Sequence, residues 1–117
     1  MFVEILKYIP SVKEEIQFRI GKNAEGNNKI IELSCETDIW FHIGGNRSSG
    51  HVIASIPENI SKKQKRDIII QGACLCRQFS KYKSESQLEI IYTKLSDVIP
   101  TEIPGRVIAH NQKTIVL

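Results

Sequence analysis

Two short stretches hold the residues that could do chemistry. The first is Asp38-Ile39-Trp40-Phe41-His42, and the second is Ser48-Ser49-Gly50-His51-Val52. On a β-strand, alternate side chains share a face, so Asp38, Trp40 and His42 point one way while Ile39, Phe41 and Ile43 point to the core. The only tryptophan, a histidine and a carboxylate then meet on the less apolar face. Aromatic and imidazole planes stack on unpaired bases, and imidazole reaches phosphate, so this grouping suits nucleic-acid contact. His42 and His51 flank a glycine-rich loop and become neighbours if their strands pair.

Other chemistries fit the same residues less well. Two histidines with Asp38 would suffice for a metal-dependent phosphodiesterase. There is no HExxH, no third histidine nearby, and the cysteines lie elsewhere, so no metal or other cofactor is expected. Ser48 or Ser49 with His51 and Asp38 invites a triad, but GxSxG is absent and no catalytic residues are assigned. Gly44, Gly45 and Gly50 match neither GxGxxG nor a P-loop. They suit a tight turn whose amides accept phosphate. The plain structural alternative has Asp38 capping a turn, the histidines donating to carbonyls and Trp40 filling a pocket.

The elements that must position these groups follow from periodicity and punctuation. A short first strand is expected over 2–8, broken by Pro10 and Ser11. Ile16, Phe18 and Ile20 alternate with polar residues and read as a second strand ending at Gly21. Asn27 caps a short helix over 28–34. Residues 39–43 form a third strand and 51–56 a fourth. Ser61 and Gln64 have the form of a capping box, predicting a long helix to about Tyr82. Its apolar face comprises Ile68, Ile69, Gly72, Leu75, Cys76 and Phe79. A further strand over 88–93 follows. Residues 107–109 and 114–117 are read as a terminal hairpin. The sum is an α+β fold with a mixed, mostly antiparallel sheet, one long helix and one short helix.

Charge is unevenly spread. Residues 61–83 carry seven basic side chains against Asp67 alone, whereas the rest holds nine basic and twelve acidic. Lys62, Lys63, Arg66, Arg77 and Lys81 share an arc of the long helix beside its apolar face, the expected place for phosphates. Lys22 and Asn23, after the second strand, and Arg47, on the glycine-rich loop, complete the nucleic-acid-binding set with Trp40, His42 and His51.

A chain of 117 residues suits one domain. With 41% hydrophobic and 25% charged residues it is globular rather than disordered. No apolar run approaches the roughly 20 residues of a membrane span. The first residues lack a signal-peptide pattern. Three cysteines, none in CxxC spacing, point to reduced thiols and a cytoplasmic setting.

Several of these residues carry a family resemblance. They are Ile20-Gly21-Lys22-Asn23, Asn28, Asp38-Ile39-Trp40-Phe41-His42, Ser48-Ser49-Gly50-His51-Val52, Ala73, Ser80, Tyr92-Thr93, Pro104-Gly105 with Val107 two residues on, and Lys113-Thr114-Ile115-Val116. In this order over 20–117, the chain resembles the NFACT-R domain, the RNA-binding module of the NFACT proteins of ribosome-associated quality control. The resemblance implies a non-catalytic α+β domain with RNA, tRNA or ribosomal RNA, as its partner, and the ribosome behind it. A DNA partner is the alternative implied by a eukaryotic relative associated with DNA sensing. Elongation of stalled peptides depends on other domains of the large family members and is not expected here. A protein-docking module is the remaining class.

Overall fold

The computed structural model describes residues 1–45 and 47–117. Asn46, in the glycine-rich loop, lies outside the described residues. Eight strands and two helices follow in the order β1 (Phe2–Ile9), β2 (Glu14–Gly21), α1 (Ala24–Leu33), β3 (Ile39–Ile43), β4 (Val52–Ala54), α2 (Lys62–Gln78), β5 (Glu89–Lys94), β6 (Val98–Pro100), β7 (Val107–Ala109) and β8 (Lys113–Val116). A single 3₁₀ turn, Leu95–Asp97, joins β5 to β6. Six strands form one sheet in the order β1-β2-β4-β3-β5-β8, and β6 pairs with β7 separately. Every described pairing is antiparallel, so the fold is α+β.

Register fixes which side chains share a face. Arg19 opposes Ile53, Ile53 opposes Trp40, and Trp40 opposes Thr93, a row on one face of the sheet. Ile20, Val52, Phe41 and Tyr92 form the matching row on the other. The second face is covered by α2, which buries Ile68, Ile69, Ala73, Leu75 and Cys76 against Phe18, Phe41, Val52 and Ile90. The packing is close: a Cβ at Gly72 would overlap the Phe41 ring. The first face carries a smaller core of Ile30, Trp40, Ile53, Leu95 and Val98, closed by α1 and the β6–β7 hairpin.

The helix starts are set by side-chain caps. Ser61 accepts from the Gln64 amide while Gln64 reaches back to the Ser61 amide, the expected capping box. Asn23, not Asn27, caps α1 by accepting from the Gly26 amide, so that helix begins three residues after Gly21. Asn27 is instead buried inside the helix and its Oδ1 accepts the His51 amide at 2.9 Å.

Three other expectations are corrected. The long helix stops at Gln78, where Ser80 folds back on the Arg77 carbonyl and its hydroxyl takes the Tyr82 amide. Phe79 therefore leaves the core and is exposed. The fourth strand is confined to Val52–Ala54, because Asp38 rather than a neighbouring strand takes the Ile56 amide. The terminal hairpin does not form: β7 pairs with β6, and β8 completes the edge of β5 with Ile115 packed toward the α2 core.

Candidate functional site

A cleft of about 820 Å³ opens on the sheet face opposite α2. Its floor comes from β3 and the residue just before β4: Trp40, His42 and His51. One wall is the Lys22-Asn23-Ala24 segment leading into α1, with Asn27 below it. Another is the Arg47–Gly50 loop, and a third is the turn after α2, with Phe79, Ser80 and Lys81. The β6–β7 hairpin closes it with Pro104, Gly105, Arg106 and Val107. The loop approaches β2 so closely that a Cβ at Gly50 would overlap the Gly21 carbonyl oxygen.

The three rings form one cluster. Trp40 and His42 are stacked, with centroids 5.6 Å apart and planes 12° apart. His51 stands edge-on to both, at 5.2 Å from Trp40 and 5.3 Å from His42. His42 is half-buried and its Nδ1 donates to the Ile43 carbonyl at 2.7 Å, leaving Nε2 as the acceptor of the neutral ring. Burial lowers the His42 pKa, outweighing that hydrogen bond. Burial, with the neighbouring His42 charge as a smaller cause, pushes His51 down to about 3. Both imidazoles are thus neutral at pH 7.

Trp40 and His51 each expose only 2% of their surface. The less apolar face that bears the rings is thus covered rather than open to solvent: α1 and the hairpin roof it, and the rings are reached through the cleft. Trp40 Nε1 and His51 Nδ1 are buried with no hydrogen-bond partner among the described residues. Such groups cost about 1–3 kcal/mol each when left unpaired.

The cations at the cleft are Lys22, Arg47, Lys81 and Arg106, and no carboxylate is among the described residues that line it. Lys22 lies 5.9 Å from the centre of the Phe79 ring. Arg47 sits over Tyr82 and pairs with Glu85, which partly offsets its charge. Lys22, Asn23, Trp40, His42, Arg47, His51 and Lys81 therefore come together.

The remaining basic residues expected to join them do not. Lys62, Lys63, Arg66 and Arg77 lie on α2, behind the sheet as seen from Trp40. Lys63 pairs with Asp67 one turn on. Arg77 donates to the carbonyls of Lys83 and Glu85 and so holds the turn that carries Lys81. The start of α2 belongs to a separate basic area, where burial and the charges of Lys94 and Lys113 lower the Lys65 pKa.

Asp38 takes no part in the cleft. Its two oxygens accept the Cys35 and Ile56 amides, capping the turn before β3. Among the described residues no three His, Cys, Asp or Glu side chains gather as metal ligands. Sequence reasoning missed Phe79, Arg106 and Asn27 as cleft residues. Arg106 had a signal only in its neighbours, the Pro104-Gly105 turn and Val107, whereas Phe79 looked like helix core.

No family model matches the chain, and no curated protein matches it in sequence. Among solved structures, the fold is similar to the C-terminal part of the fibronectin/fibrinogen-binding protein of Streptococcus suis, with a TM-score of 0.74 at 20% identity over 87% of this chain. The chain spans 40% of that chain's length. At this identity the likeness shows a shared α+β fold.

Proposed function

We propose that the protein binds nucleic acid, RNA in preference to DNA, through the cleft beneath Trp40, His42 and His51. The observation that carries this reading is the pairing of four basic side chains and no carboxylate, among the described lining residues, with three clustered rings. Cations at the mouth hold phosphates, which position the strand without reading its sequence. The half-buried His42 ring, already stacked on Trp40, offers a surface to an unpaired base. Preference for RNA, with tRNA or ribosomal RNA on the ribosome as the natural source, follows from the NFACT-R resemblance. A phosphodiesterase reading loses its third ligand, since both Asp38 oxygens hold backbone amides.

Fluorescence polarisation with tRNA and single-stranded RNA at several salt concentrations tests the proposal. Three phosphate contacts give a log–log salt slope of about −2. Absence of binding at low salt, or binding indifferent to salt, overturns it.

A second reading is protein docking. Ile99, Ile103 and Ile108 on the β6–β7 hairpin are half exposed, and the structural neighbour is described as fibronectin/fibrinogen-binding. Surface plasmon resonance against immobilised fibronectin separates the two: binding abolished by Ile103→Asp with RNA affinity retained would favour docking.

A further inference from the structure

Two features of the cleft remain unused by phosphate binding alone: Trp40 Nε1 and His51 Nδ1. Both atoms are buried and unpartnered among the described residues, and both side chains line the same cleft. The indole N–H is a donor only. The His51 ring is neutral and offers a donor or an acceptor according to tautomer. Two adjacent orphans of this kind call for a ligand with matching polar atoms, because buried polar groups in native proteins are almost always paired. Such a ligand must be slim enough to reach under α1 and the hairpin, and anionic enough to suit Lys22, Lys81 and Arg106. A cleft of about 820 Å³ falls within the roughly 300–1,000 Å³ of small-molecule sites.

Resting on the nucleic-acid reading, we infer that the cleft captures one unpaired nucleotide of a strand, whose acceptor atoms meet Trp40 Nε1 and His51 Nδ1 while its phosphate stays on the cationic rim. The site therefore selects single-stranded segments, ends or bulges over continuous duplex. In a duplex the base edges are paired, and a base reaches the buried rings only by being extruded from its stack. Phosphate alone satisfies the rim and leaves the orphans unmet.

The chain has one tryptophan, so a single indole N–H resonance reports on the site. The whole protein, labelled with ¹⁵N, is titrated at low salt with a short mixed-sequence RNA strand, with the duplex it forms with its complement, and with inorganic phosphate. The expected result is an indole shift with the single strand only, and single-strand affinity roughly tenfold or more above that of the duplex, given the unstacking cost of extrusion. Trp40→Phe removes the N–H, keeps most of the ring volume and lowers single-strand affinity several-fold. If that variant fails to fold, the indole titration of the unaltered protein still decides. A strand that binds with the indole unmoved, or a duplex that binds as tightly, overturns the inference and leaves the nucleic-acid reading standing. Failure of every RNA to bind overturns both.

Discussion

The His51 ring stands edge-on to the Trp40 indole, 5.2 Å away at 81°, and both are almost fully enclosed. Among the described residues, neither ring finds the hydrogen bond its buried nitrogen calls for. This pairing of apolar enclosure and unmet polarity makes the cluster sensitive to protons as well as to ligands.

Stability should fall in acid. His51 is held near 3 in the folded state against an ordinary 6.5, chiefly by burial. The unfolded chain therefore takes up the proton first, and the folded state loses ground as pH drops through 6.5 toward 3. At pH 5 the loss is on the order of 2 kcal/mol from His51, and His42, shifted the same way, adds to it. Urea unfolding at pH 7 and pH 5 measures this. A midpoint that does not move, or that rises in acid, contradicts a buried neutral His51.

Salt dependence should map onto the cleft rather than onto α2. Replacing Lys22 and Arg106 by alanine should weaken RNA binding and flatten the log–log slope by about 0.7 for each phosphate no longer held. Replacing Lys62 and Lys63 should leave affinity within about twofold, since these residues lie behind the sheet, away from any phosphate held in the cleft. Polarisation titrations at matched salt compare the two pairs. Equal weakening by both would mean that the site spans both faces.

Gly72→Ala tests the core. In an exposed helix this change stabilises by about 1 kcal/mol. Here the added methyl meets the Phe41 ring, and overpacking costs about 1–3 kcal/mol. The net effect should be a lower melting temperature. A rise would show that Phe41 yields without strain.

Asp38→Ala should be destabilising by about 3 kcal/mol, since two backbone amides, Cys35 and Ile56, are deprived of charged acceptors. The part that remains folded should bind RNA as before. A selective loss of binding with unchanged urea midpoint would instead give Asp38 a role at the cleft.

The fold was legible in the sequence wherever a single period or cap decided it. β3 follows from the alternation of Ile39, Phe41 and Ile43 with Trp40 and His42. α2 begins where Ser61 and Gln64 require. The reading failed where a long-range partner decided. Asn27 has the residue type of a cap, yet its side chain is taken by the distant His51 amide, and Asn23 caps α1 instead. Residues 107–109 and 114–117 resemble a hairpin locally, yet 107–109 pair back onto β6 and β8 joins the edge of β5. The site was legible by residue type and only partly by place. Alternation shows that Trp40 and Phe41 face opposite ways. It does not show that α2 would cover Phe41 while α1 and the hairpin cover Trp40.

The chain leaves the sheet at the end of β5, builds the β6–β7 hairpin, and rejoins the same sheet beside β5 as β8. The exposed tip between β6 and β7 carries Arg106 and is pinned to α1 by the Gly105 amide on Asn28. One rim of the groove is thus a detour anchored at both feet. Changes to its tip would therefore reshape the mouth of the groove without shifting the register of the six-stranded platform beneath it.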